Sequence, residues 1–406
     1  MVPDGWSLVD ANEICESIFV GVVIKPSQYY VDESMGIKAF RSANVREGFI
    51  NDSDWVYFSQ EGHLANKKSQ LKSGDVLIVR TGYPGTACVV TPEFEGANAI
   101  DIVIARPKKD KVFPEYLCAY TNSSVGKSQV LNLQGGMAQK HLNVGAYQTL
   151  KVKLPPLVEQ KKIAQILSTW DKAIATTEKL LANSQLLRKA LMQQLLTGNL
   201  RFKGYDAKWI TIKIGDILKE VKRPVSWNDD VDYKLLSVKR RSEGVVLREV
   251  LNGSKILTKK MNVARKNDFL ISKMQILHGA AGLVPECFDG FHVSDSYISL
   301  VSKDPDKLEV EFFSWYSQQK IMYHKAYLCS YGVHIEKMTF NFNRYLKECI
   351  YIPSDVNEQK AIVEALNTAS REMENIEFQL KNLKQEKKAL MQQLLTGKRR
   401  VKVEAA

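Results

Sequence analysis

The sequence predicts a mixed α/β (α+β) chain: two globular α/β domains separated by two long antiparallel coiled-coil helices, arranged as an internal tandem repeat with pseudo-twofold symmetry. Three observations carry that expectation. The decapeptide Lys189 to Gly198 recurs letter for letter at Lys388 to Gly397, an offset of 199 residues in a chain of 406. The forty residues that contain each copy place apolar side chains in alternating steps of four and three. The two remaining segments, 1–154 and 199–353, are similar in length and read as short β-rich runs punctuated by Gly, Pro and Asn.

In chain order, the first segment opens with Trp6 and Ile14 and contains strand-like runs at Asp75 to Arg80 and Ala99 to Ala105. Its Gly82-x-x-Gly85 element reads as a tight turn. The first helical segment, 155–198, begins at Pro155-Pro156, where a proline costs little because first-turn N–H groups have no helical partner. Its seam is Ile163, Leu167, Trp170, Ile174, Leu181, Leu191 and Leu195, with Thr177, Ser184 and Arg188 as weak layers. The second globular segment echoes the first only faintly: Trp209 with Ile217, Asp268-Phe269-Leu270-Ile271, and Gly279-x-x-Gly282. The second helical segment, 354–397, has the better seam, Ile362, Leu366, Ala369, Met373, Ile376, Leu380, Leu383, Leu390 and Leu394, interrupted only by Lys387. Asp355 and Glu358 have the spacing of a capping box, and Gly198 and Gly397 are placed to close their helices with positive φ. Residues 398–406 form a basic tail.

The helices, over 157–197 and 356–396, are rods of roughly 60 Å at about 1.5 Å per residue. A lone heptad helix ordinarily joins copies of its own chain. Two in one chain are expected to pair with each other, and facing Ile163 with Leu394 puts Lys387 opposite Trp170 and Arg188 opposite Ala369. An amine over an indole is tolerable there.

Net charge is +12, which favours a polyanionic partner. The charge is uneven: zero over 1–156, +4 over 157–202, +6 over 203–353 and +2 over 354–406. No run of eighteen apolar residues and no secretion signal is present, so a cytoplasmic protein without a membrane anchor is expected. The six cysteines form no C-x-x-C pair, and the six histidines fall at no metal-ligand spacing. Gly126-Lys127-Ser128 lacks the first glycine of a phosphate loop, since Thr121 stands there, and neither G-x-G-x-x-G nor an adenine methyltransferase motif occurs. No catalytic site is expected.

Taken together, Leu154-Pro155-Pro156-Leu157-Val158-Glu159-Gln160-Lys161-Lys162-Ile163-Ala164, both Met-Gln-Gln-Leu-Leu-Thr-Gly tails, Asn267 to Ile271 and His278-Gly279 resemble the specificity subunit of type I restriction-modification systems. The resemblance covers nearly the whole chain. One departure is the entry to the second helix, Ile352-Pro353-Ser354-Asp355 in place of a Leu-Pro-Pro-Leu run. The resemblance implies a non-catalytic reader of double-stranded DNA. Each globular segment is then a target recognition domain for one half of an asymmetric two-part site, and the helices set the unread gap. Two adenine methyltransferase subunits dock on the helices, and restriction and translocase subunits join that core. It also implies no cofactor on this chain, with S-adenosylmethionine held by the methyltransferase, and ATP and Mg by the restriction subunit. The outer helix face bearing Lys161, Lys162, Lys172, Glu178 and Lys179 is the expected docking surface.

Base-edge readers must be long polar side chains in loops between strands. The candidates in the first segment are Lys38, Arg41, Arg46, Lys67, Lys68, Arg80, Tyr83, Gln134, Gln139, Lys140 and His141. In the second they are Lys239, Arg240, Arg241, Lys259, Lys260, Lys273, Gln275, His278, Tyr331, His334 and Lys337. The competing reading is a non-enzymatic protein scaffold with two binding domains on a coiled-coil rod. Sequence-selective duplex binding separates the two.

Overall fold

The computed structural model describes residues 2–133, 141–334 and 338–402. Its long helices are Leu157–Leu195 and Val356–Leu395, within two residues of the predicted ends. The compact units do not follow chain order. The first comprises Met1–Lys179 with Glu377–Ala406, and the second is Leu180–Ile376, so each helix gives one half to each unit.

Within the first unit, Ile163 and Leu167 share a core with Leu390 and Leu394, and Glu178 pairs with Lys384 at 2.7 Å, an antiparallel arrangement. Within the second, Leu191 and Leu195 share a core with Ile362 and Leu366. No predicted seam position is exposed, Arg188 and Lys387 included. One expectation is corrected: Lys387 does not lie over Trp170 but forms an ion pair with the Asp171 carboxylate, which compensates a half-buried ammonium better than a ring face does. The capping box is also not made, since the aspartate caps the second helical N–H and not the third. Asp355 accepts the Asn357 N–H at 2.8 Å, while Glu358 turns away to another partner. Gly198 and Gly397 close the helices at φ 76° and 72°. A Cβ at Gly397 would sit 2.3 Å from Pro3, and one at Gly198 would sit 3.3 Å from the Trp209 ring.

The frame of each unit is the same. The first has a four-stranded sheet ordered Cys15–Val20, Ile102–Pro107, Val76–Val79, Ala87–Val89. The second repeats that order with Leu218–Val221, Tyr297–Ser302, Phe269–Ser272, Ala281–Leu283. Alternating apolar residues from these strands build both cores. A two-stranded pairing then leads into each helix: Ser7–Asp10 with Lys151–Leu154, and Trp209–Lys213 with Cys349–Pro353. The other four-stranded sheets differ in strand length and order, and there the two units have diverged. The Asp75 and Asp268 echo has a cause. Each aspartate is 1% exposed and accepts two bonds from an arginine, Arg106 in one unit (both 2.8 Å) and Arg223 in the other (2.6 and 3.0 Å).

A second duplicated cluster locks each helix start to its domain. Glu159, 2% exposed, accepts the Trp6 indole N–H at 3.1 Å and two bonds from Arg400 at 2.7 and 2.8 Å. Glu358, 0% exposed, does the same with Trp209 at 3.3 Å and Arg201 at 2.7 and 2.8 Å. The neighbouring glutamine is equally buried. Gln160 accepts the Phe113 N–H and donates to Lys111 and Pro155 carbonyls, as Gln359 does with Glu309, Lys307 and Pro353. Both N–H donors and the carbonyl oxygen of each buried amide thereby have a partner, which offsets the cost of burying it.

Glu358→Ala leaves an arginine and an indole N–H without their acceptor. Thermal unfolding should show a melting temperature lowered by roughly 5–10 °C, with Glu358→Gln intermediate. A variant that melts with the parent would show that the cluster is not what fixes the helix start.

Candidate nucleic-acid interface

In the first unit the candidates divide by how far their polar atoms are already used. Arg80, only 8% exposed, donates Nε–H to the Leu142 carbonyl at 3.1 Å, pairs with Asp101 at 2.5 Å, and bonds His141 through its remaining nitrogen. His141 also meets the Thr81 hydroxyl at 3.1 Å. These two residues anchor a turn; they do not project from it. The turn is Thr81 to Thr86, with Gly82 and Gly85 at φ 90° and 85°, and it carries Tyr83 outward at 83% exposure. Gln134, Gln139 and Lys140 lie outside the described residues, in the segment that ends at His141.

Lys38 pairs with Asp52 at 2.8 Å and lies 4.9 Å from the Trp55 ring centroid. Arg41 pairs with Asp54 at 3.1 Å, and Arg46 donates to the Val45 carbonyl at 3.1 Å. Lys67 and Lys68 are exposed, with Lys68 5.9 Å from the Phe19 ring.

The second unit gathers its candidates more closely. Between strands Asp232–Val238 and Val245–Asn252 the chain turns through Lys239 to Gly244, with Arg241 and Ser242 both left-handed at φ 57° and 56°. That conformation costs of order 1 kcal/mol or more per non-glycine residue. It is held by two backbone bonds, Arg241 N–H to the His278 carbonyl at 2.6 Å and Ser242 N–H to Gly279 at 2.9 Å. Arg240 Nε–H donates to Gln275 at 3.0 Å, so Lys239, Arg240, Arg241, Gln275 and His278 share one loop cluster. The other candidates stand apart. Lys259 pairs with Asp229 at 2.7 Å and Lys273 donates to the Asp295 carbonyl at 2.7 Å. Lys260 and His334 are exposed, and Tyr331 is 62% exposed on a short strand. Lys337 lies outside the described residues.

Beside this loop is a cleft of about 380 Å³ that holds cations absent from the candidate set. Arg188 and Lys189 of the first long helix line it together with Arg241, Ser242, Gln318 and Tyr323, and no carboxylate does. Ser242 and Tyr323 hydroxyls bond each other at 2.6 Å. Arg188 occupies the repeat position of Lys387, but the residue matching Asp171 is Ser370, and the Arg188 Nε is buried without a hydrogen-bond partner. In the sequence this arginine reads as a poor seam residue. The usable signal was that a cation stands at one seam position in both copies while its carboxylate stands in only one.

Burial pushes the Cys15 and Cys88 thiols up to about 12, and among the described residues no group of three His, Cys, Asp or Glu could hold a metal ion. His63 is tied between Asn98 at 2.7 Å and Gln70 at 3.0 Å.

Comparison with known proteins gives one consistent result. A family model described as the type I restriction modification DNA specificity domain matches residues 3–183 and again 207–385. A putative type I restriction enzyme MjaX specificity subunit of Methanocaldococcus jannaschii is 24% identical over 428 residues, covering 99% of this chain and 95% of that protein. The EcoKI specificity subunit of Escherichia coli is 23% identical over 217 residues, 51% of this chain and 45% of its own. Among solved structures, an HsdS subunit from Thermoanaerobacter tengcongensis is similar at TM-score 0.53 and 18% identity over 98% of both chains. A type I S subunit from M. genitalium is similar at 0.57 and 11% identity, over 97% of this chain and 96% of that one.

Arg80→Ala should cost about 2–3 kcal/mol of stability, because it strips a buried network, whereas Tyr83→Ala should leave the melting curve unchanged. The reverse order in calorimetry would mean that the Tyr83 turn has another anchor.

Proposed function

The chain belongs to the type I restriction-modification DNA specificity family, and from that premise we propose how its two DNA-recognition domains divide the work of reading a duplex. Each unit reads one half of an asymmetric two-part site, and the two shared helices set the number of unread base pairs between the halves. In the second unit the Lys239–Arg241 turn with Gln275 and His278 supplies base-edge contacts. Arg188, Lys189 and Arg241 clamp a backbone phosphate. In the first unit the Tyr83 turn, together with Lys67 and Lys68, is the reading surface. The observation that carries this reading is the cleft at Arg188, where three cations meet no carboxylate and one guanidinium nitrogen is left unbonded. Such a site fits phosphate, whose contacts fix register while base edges choose sequence.

The chain itself is non-catalytic and holds no cofactor in this reading. Adenine methyltransferase subunits bring S-adenosylmethionine and dock on exposed helix faces such as that of Lys161, Lys162, Lys172 and Lys179. Restriction and translocase subunits with ATP and Mg complete the complex in the cytoplasm. No described helix is long and apolar enough to cross a membrane.

Arg188→Ala and Arg241→Ala should each weaken binding to the cognate duplex and lower the slope of log affinity against log salt by about one. Melting temperature should hold. Unchanged salt dependence in both would remove the cleft from the interface, and a parent chain without sequence preference would favour the scaffold reading.

The duplication gives a sharper test. A half-chain of residues 1–203 keeps one domain, one helix and Arg201, which in a symmetric dimer can take the place of Arg400 on Glu159 of the other copy. It should dimerise in a concentration-dependent way and direct methylation to a palindrome built from the first half-site. A soluble dimer that still modified the original asymmetric site would refute the assignment of one half-site to each domain.

A further inference from the structure

The clefts of the two units overlap at three repeat-matched pairs, Asn122 with Gln318, Lys387 with Arg188 and Met391 with Met192, and beside that overlap they differ in filling and in charge. The equivalence is set by the buried glutamines. Gln160 bonds Phe113 and Lys111 as Gln359 bonds Glu309 and Lys307, so helix Pro114–Asn122 matches helix Val310–Ser317 at an offset of 196 residues. The long helices match at 199. Ala119 therefore matches Trp315, Glu115 matches Glu311, and Ser168 matches Asn367. In the second unit the Trp315 indole donates to Asn367 at 3.1 Å, and the Asn367 amide donates to Glu311 at 2.9 Å. The first unit lacks both the ring and the amide.

What remains in the first unit is an open cleft of about 460 Å³. Phe94, Leu167 and Met391 give it apolar walls, and Phe49 stands at its edge, 60% exposed. The Thr91 hydroxyl oxygen, which also lines it, is buried without a partner. Its charge is negative although the chain carries +12. Five carboxylates and one lysine line it. Three of those acids are paired, Glu47 with Lys127, Asp52 with Lys38 and Asp171 with Lys387. The carboxylates of Glu93 and Glu115 line it too and make no hydrogen bond or ion pair with any described residue. Phosphate is repelled here, so this cleft cannot serve DNA as its counterpart can. An aromatic ring would restore the contact that Trp315 makes, and a cation beside it would meet Glu115 and Glu93.

We propose that this cleft receives an aromatic side chain flanked by lysine or arginine from a methyltransferase subunit, a contact made once per chain because only the first unit lacks the Trp315–Asn367 pair. This rests on the reading above that such subunits assemble with the chain. The test is calorimetric titration of the full-length chain with purified methyltransferase subunit. Ala119→Trp with Ser168→Asn transplants the plug of the second unit and should weaken one binding event by about tenfold or more, with duplex selectivity of the free chain unchanged. Glu93→Lys with Glu115→Lys leaves the packed interior alone and should weaken the same event, which decides the matter if the plugged chain does not fold. Wild-type affinity and stoichiometry in a folded plugged or charge-reversed chain would overturn the slot while leaving DNA reading intact. A parent chain that bound no methyltransferase would overturn the slot and the assembly reading together.

Discussion

A carboxylate buried at the start of each long helix is neutralised by an arginine that lies just beyond the end of the other. Glu159 is held by Arg400 and Glu358 by Arg201, each with an indole N–H as third donor. A buried charge left alone would cost several kcal/mol, so each helix start is defined only when the other helix has run its full length and returned. The antiparallel pairing within each unit follows from that requirement. The heptad seam alone is weak in the middle, where its layers are half-buried. The adjacent glutamine ties the same helix start to the loop that opens helix Pro114–Asn122 in one unit and Val310–Ser317 in the other.

The proposed sites lie where the two copies differ. The frame is kept twice, in sheet order, in the buried Asp–Arg pair and in the glutamate clusters. Against that frame, the cleft beside the helices is cationic and partly filled in one unit, anionic and open in the other. A duplicated fold can keep its stability in shared positions and place phosphate binding and protein docking in the unshared ones. That the left-handed Arg241 and Ser242 sit in the cationic cleft fits the tendency of strained backbone to collect at functional sites.

Much of the architecture was legible in the sequence because it is written twice. The decapeptide and the apolar steps gave both helices to within two residues, and the glycines that end them. The glutamate and glutamine were visible as repeated letters but not as a buried cluster, since Trp6 and Arg400 lie 153 and 241 residues from Glu159. The DNA candidates were legible only as a class. Arg80 and Arg241 look alike in a string of residues, yet one is buried on a carboxylate and an imidazole and the other lines a cleft. Arg188 was hidden for the opposite reason, because its place in the heptad made it look like a packing defect.

In the proposed reading one chain presents two different reading surfaces, one on each unit. Mapping methylated adenines, base by base, in a genome that carries this chain with its methyltransferase tests it most directly. The expected result is a single asymmetric motif of two specified blocks separated by a constant number of unspecified bases. A palindromic motif, an uninterrupted one or a variable gap would contradict it.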